Sequence, residues 1–168
     1  MTLRGSILLG VVLTVIGAVL ATSLWQVGTT AQDPSGPSAD DERTVAQAEA
    51  LGVLHDWDRR RAAAWARGDR SALAELYTED SASGAADVAM LRQYAARGLV
   101  VRGMRTQVLS ADVRSRSESR IVLAVTDRVV RAAAVGPGVR FTLPRDRASG
   151  HTIELVRVGP TWRVREVR

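Results

Sequence analysis

Hydrophobic positions obey three different rules along this chain, and each rule predicts a different kind of element. From Gly5 to Gly28 no charged residue occurs, and Ile7 to Trp25 is an almost unbroken apolar run, ILLGVVLTVIGAVLATSLW. A helix needs roughly 20 consecutive apolar residues to span a bilayer, so residues 1–28 predict one membrane-crossing anchor. Residues 29–43 contain Thr29 to Glu42, TTAQDPSGPSADDE, whose Pro, Ser, Gly and Asp cannot bury enough surface to fold and so predict a flexible tether. From Thr44 the apolar residues recur at helical spacing. Ala46, Ala50, Leu51, Val53, Leu54, Trp57, Ala62, Ala64 and Trp65 fall on one face, and Asp56, Arg59, Arg60 and Arg67 on the other. Thr44-Val45-Ala46-Gln47 fits a capping box at the start of this helix, Gly68 supplies its stop, and Asp69 supplies a fresh N-cap. A short second helix is predicted over Ser71 to Tyr77. A third, from about Ala86 to Arg97, carries Leu91, Tyr94 and Ala95 on one side and ends at Gly98.

After Gly98 the rule changes to alternation. Residues 99–113, 120–134, 151–158 and 161–168 are β-branched and partly alternating, with turns signalled at Arg116-Ser117, Gly136-Pro137-Gly138 and Gly159-Pro160. The pattern predicts an antiparallel meander, with Val139 to Ser149 either an edge strand or a loop. Helices followed by strands define an α+β domain over residues 44–168, with the helices packed on one face of the sheet.

Composition narrows this picture. The 168 residues leave room for one domain beyond the anchor, and no cysteine is present, so neither a disulfide framework nor a thiolate metal site can form. With only His55 and His151 as imidazoles, no metal and no cofactor is expected. All 23 basic residues are arginine, and residues 44–168 hold 21 of them against 14 acids, a net of +7. Those arginines are interleaved with acidic or apolar residues and stacking aromatics are few, so a solvated basic surface is expected and a nucleic-acid partner is not. Arg4 stands on one side of the apolar run. Asp33, Asp40, Asp41 and Glu42 precede the first base, Arg43, on the other side. The positive-inside bias then places the amino terminus in the cytoplasm and the domain outside, on a single-pass protein of the cell membrane. The alternative is secretion after cleavage near Thr29-Thr30-Ala31, although the apolar run exceeds the roughly 7–15 residues of a cleavable signal core.

Candidate chemistry comes from charges in apolar places. Asp58 and Arg61 lie inside the apolar face of the first helix, three residues apart and able to pair. Asp127 shares the parity of Ile121, Leu123, Val125 and Val129, so it points with them to the core side. Burying such groups unpaired would cost several kcal/mol, so they either form a structural ion pair or line a cavity. Within a cavity Asp58, Arg61 and Asp127 could recognise a ligand, or Asp58 or Asp127 could act as a general base. Tyr77, just ahead of Asp80, could donate to a substrate oxygen, though a core position with its hydroxyl at the rim is the simpler reading. His55 sits at the border of the helix face and His151 opens a strand, and neither has a fixed-spacing partner. Trp57, Trp65 and Trp162 read as core. Phosphate loops, nucleophile elbows and metal motifs are absent from the sequence.

Three pieces together carry a resemblance: the long helix ending Trp65-Ala66-Arg67-Gly68-Asp69, the Leu73 to Tyr77 segment after it, and the closing strand pair with Trp162. They resemble the NTF2-like, or SnoaL-like, superfamily over nearly all of residues 44–168. That resemblance implies a cone, three helices packed on a curved antiparallel sheet, with a cavity between sheet and first helix. Joined to an anchor and an acidic linker, the whole is similar to membrane-anchored NTF2-like proteins of GC-rich Gram-positive bacteria, among them Mce-associated proteins. Isomerases of the superfamily use a carboxylate base with a Tyr and a protonated acid, and dehydratases use His with Asp. No motif here registers either set, and fold alone does not fix function. The expectation is a non-enzymatic extracytoplasmic binding or scaffold module that contacts an envelope protein complex or an apolar ligand. A small cavity enzyme of the isomerase, dehydratase or cyclase type is the alternative. Pairing of two copies through their sheets is implied by the resemblance.

Overall fold

A computed structural model describes residues 38–168; the apolar run and most of the tether lie outside the described residues. Helix α1 spans Ala39–Arg67, α2 Arg70–Ala74 and α3 Ala82–Ala95. Strands β1 (Val100–Arg116), β2 (Arg120–Gly136), β3 (Val139–Thr142), β4 (Ser149–Val158) and β5 (Thr161–Val167) form one antiparallel sheet in the order β1-β2-β4-β5, with β3 also pairing with β2. The observed architecture is the predicted α+β one, and the Val139 segment supplies an edge strand.

Helix α1 begins earlier than the Thr44 capping box. Ser38 is the N-cap, its hydroxyl accepting from the Asp41 amide while the Asp41 carboxylate accepts from the Ser38 amide. Asp40, Asp41 and Glu42 then occupy the first turn, where the positive end of the helix dipole favours acids. Thr44 and Gln47, freed from capping, are used otherwise: Thr44 donates to the Asp40 carbonyl and Gln47 to the Ala111 carbonyl on β1. The far end behaves as read, with Gly68 at φ 69° in the left-handed region and Asp69 capping α2. Among the described residues no helix is long and apolar enough to cross a membrane.

Strand pairing places Ile121, Leu123 and Val125 of β2 opposite Leu155, Ile153 and His151 of β4, so these side chains share the inner face. Helix α1 packs against β1 and β5, and α3 against the same two strands, so the helices bury the core between themselves and the sheet. Leu73, Leu91, Leu123, Leu155 and Val164 are fully buried in the resulting core, with Leu54, Trp57 and Trp65. At roughly 1.5–3 kcal/mol for each large apolar side chain buried, this cluster is the main source of stability in a chain without cross-links.

Candidate functional site

The most deeply buried charge is Asp87 on α3, 6% exposed. Its carboxylate is saturated by donors from three elements. Arg61 Nη2 donates to Oδ1 at 2.6 Å and Nε to Oδ2 at 2.7 Å, the two-pronged geometry of a guanidinium on a carboxylate. Trp65 Nε1 donates to Oδ1 at 3.2 Å, and the Tyr77 hydroxyl to Oδ2 at 2.8 Å. Burial disfavours the Arg61 charge, but hydrogen bonding and attraction from Asp87 outweigh it and hold the guanidinium above its usual range. Burial likewise pushes the Tyr77 phenol above its usual range, against the pull of the Arg61 charge, so it remains a donor at physiological pH.

Local sequence explains why these groups meet. Arg61 and Trp65 are one turn apart on α1 and so lie on one face. Leu76 and Thr78 exchange backbone hydrogen bonds with Val164 of β5 at 2.9 and 3.0 Å, which pins Tyr77 as a short pseudo-strand. Gly84 lets that tyrosine approach α3, because a Cβ there would come within 2.6 Å of Tyr77 Cβ and Cγ. Tyr77 also meets Trp57 edge-on at 5.7 Å, and Trp57 Nε1 donates to the Leu76 carbonyl at 3.2 Å. Trp57 and Trp65 are therefore part of the core, as their spacing suggested.

This arrangement corrects the expected Asp58–Arg61 pair. Arg61 turns to Asp87, which offers two buried oxygens in line with its fork, and Asp58 instead accepts from the Thr106 hydroxyl of β1 at 3.0 Å. Asp127 does lie on the inner face, as its parity predicts, but away from both. It faces Val108 of β1 and Ser149 of β4, and its Oδ1 lies 3.0 Å from His151 Nε2. The side chains of His151 and Asp127 are 27% and 21% exposed, a half-buried pair. Hydrogen bonding to the Asp127 carboxylate raises the His151 pKa above its ordinary value despite partial burial. Burial, and then the Asp127 charge, raises the Asp146 carboxyl as well.

Two polar groupings thus stand where three candidate residues suggested one. Arg61 and Tyr77 converge on Asp87, Asp127 meets His151, and Asp58 joins neither. His55 is exposed, Asp80 is exposed near Arg165, and Trp162 lines a groove of about 560 Å³ with Val53 and Ile121. Reading the residues missed Asp87, although Asp87, Leu91 and Tyr94 follow the i, i+4, i+7 spacing of one helix stripe. An acid heading an apolar stripe was the available signal. Among the described residues no group of three His, Asp or Glu side chains is placed to hold a metal ion.

No protein-family model matches the sequence, and none of the curated proteins does. Solved structures do resemble the fold, and NTF2-like proteins are among them. An NTF2-like protein of unknown function in nutrient uptake from Rhodospirillum rubrum is 24% identical over 68% of this chain and 93% of that one, with a TM-score of 0.44. An NTF2-like protein with a cystatin-like fold from Novosphingobium aromaticivorans is 16% identical over 77% of this chain and 87% of that one, with a TM-score of 0.44. The intermembrane-space region of the chloroplast protein ARC6 is 18% identical over 72% of this chain and 93% of that one, with a TM-score of 0.50. At these identities the likeness is one of fold.

Proposed function

We propose that the domain is a binding or scaffold module held outside the cytoplasm by its N-terminal apolar segment, and that it contacts an envelope protein complex or an apolar ligand. The observation that supports this reading is the saturation of Asp87. A general base needs a lone pair free to take a proton from substrate, and here both carboxylate oxygens are occupied by two donors each. The group that a cavity enzyme would keep available is locked to Arg61, Trp65 and Tyr77. The likeness to Mce-associated proteins makes a lipid-import assembly the first partner to examine. Cross-linking in intact cells followed by detergent extraction tests the idea: a specific envelope partner is expected, and a chain that stays alone while turning over a small molecule defeats it.

A second reading has one observation in its favour. His151 and Asp127 form a half-buried imidazole–carboxylate pair on the inner face, which is the composition of a general base. A cavity enzyme built on this pair would lose its activity on Asp127→Asn while keeping its melting temperature. If no activity on hydroxylated or carbonyl compounds depends on His151, the pair is structural.

A further inference from the structure

The outer face of the sheet carries a charge array that neither reading above uses. Strand register sets Arg102 of β1 opposite Ala133, which pairs in turn with Thr142 of β3, Arg140 of β3 opposite Val135, Arg105 opposite Arg131, and Gln107 opposite Arg128. Val101 and Ala134, one residue along, are buried on the inner side, so these arginines point outward. Arg145 joins them from the segment after β3, which stays on the β2 edge through Leu143 and Asp146 amides donating to the Ala132 and Val129 carbonyls. All six arginines are exposed, and among the described residues none has a carboxylate within 4.0 Å. Arg128 donates to the Gln107 side chain alone, at 2.9 and 3.1 Å. Arg105, Arg131 and Arg145 line a concavity of about 560 Å³ with Thr106, Gln107 and Val130.

Placing six positive charges together with no counter-charge raises the free energy of the isolated domain, and a polyanion relieves it. We infer that this face docks onto the anionic headgroups of a phospholipid bilayer. The array spreads over three strands about 4.8 Å apart, so it suits a lattice of phosphates better than a single small anion. No aromatic side chain lies among the arginines to stack a base, which disfavours nucleic acid. Val139 and Phe141 of β3 share the parity of Ala134 and turn to the other side of the strand, whereas Thr142, exposed and paired with Ala133, lies on the same face as the arginines. The inference leans on the tethered reading for the nearness of a membrane. The charge array itself does not depend on that reading.

The chain has no cysteine, so Thr142→Cys, on the face of the array, gives a single attachment point for an environment-sensitive fluorophore, with Ser117→Cys at the other end of β1 as control. The full-length protein, carried in a zwitterionic nanodisc, is titrated with vesicles of phosphatidylcholine alone or mixed with phosphatidylglycerol. The expected result is a blue-shifted response at position 142, at least tenfold tighter for mixed vesicles, weakened by salt, and absent at position 117. Arg105→Glu, Arg131→Glu and Arg145→Glu together should weaken it at least tenfold with an unchanged melting temperature. Should that triple variant misfold, Arg145→Glu alone, outside every strand, should weaken it several-fold. Equal response to both vesicle types, or indifference to charge reversal, overturns the inference. So does binding of soluble polyphosphate with no vesicle response. A chain that proves soluble without detergent removes the anchor but leaves the vesicle result standing, so the two failures are distinguishable.

Discussion

Asp87→Asn isolates the energetics of the locked carboxylate. The substitution keeps the volume of the side chain and removes its charge. Whichever way the amide turns, its NH2 faces two donors, either Arg61 Nη2 with Trp65 Nε1 or Arg61 Nε with the Tyr77 hydroxyl. The tyrosine can rotate its proton away and accept; Arg61 cannot accept at all. A guanidinium whose side chain is only 22% exposed is then left with half its partner. Breaking a buried pair from one side costs about 3–5 kcal/mol, because the remaining charge is uncompensated. For a domain of about 130 residues, at about 3–5 °C per kcal/mol, the melting temperature should fall by about 10–20 °C. Tyr77→Phe removes one donor and leaves the ion pair, so about 1.5–3 kcal/mol is expected. Replacing both charges, Arg61→Met with Asp87→Leu, should restore part of the loss, since an apolar pair carries no charge desolvation penalty while the Trp65 and Tyr77 donors lose their acceptor. Thermal unfolding of these proteins together with the singles Arg61→Met and Asp87→Leu in one detergent, followed by circular dichroism, completes the cycle. If Asp87→Asn costs less than about 1 kcal/mol, or if the double variant equals the sum of the singles, the cluster does not hold the helices together.

Three further outcomes follow from other parts of the molecule. Gly84→Ala, which would stabilise an ordinary helix interior by about 1 kcal/mol, should destabilise here because the new Cβ falls 2.6 Å from Tyr77; chemical denaturation reads the sign. Leu123→Ala at a fully buried position should cost about 2–5 kcal/mol in the same assay. Asp127→Asn should lower the His151 pKa towards the ordinary imidazole value, read by NMR titration. Because Asp127 raises that pKa in the folded state, the pair's contribution is complete below the ordinary imidazole value and fades as pH rises through the folded one. The variant should therefore lose more stability in mildly acidic than in mildly alkaline solution.

Local signals carried far more of the fold than of the site. Gly68, Asp69 and the parity of β2 act within a few residues, and each appears in the structure as its local chemistry requires. The start of α1 was displaced by competition between two capping boxes six residues apart. Ser38 with Asp41 prevailed, adding a turn rich in acids at the positive end of the helix. The site was illegible for a different reason. Asp58 and Arg61 are neighbours on a helix surface, and their spacing is compatible with a pair worth a few tenths of a kcal/mol. Asp87 is 26 residues from Arg61, and nothing local reveals that α3 will present both of its oxygens to that guanidinium. Long-range partners of buried charges are set by helix packing, which no period in the sequence encodes.

Charge segregation shows the same gap between local pattern and folded outcome. Along the chain the arginines of β1 and β2 alternate with apolar or small polar residues and suggest an evenly solvated surface. On α1 that expectation holds, because acids one turn away pair with Arg43, Arg59 and Arg60. A strand sends alternate residues to opposite faces, so an acid beside an arginine in sequence ends on the other side of the sheet. Asp127 and Arg128 show this directly: the acid turns inward to His151 and the base outward to Gln107. Antiparallel register then stacks the outward arginines of β1, β2 and β3 side by side. Six of the 21 arginines of residues 44–168 are thereby gathered at one end of one face. A charge distribution of this kind strengthens attraction to an anionic surface without altering the core, so its contribution should appear in salt-dependent binding and leave thermal stability nearly unchanged.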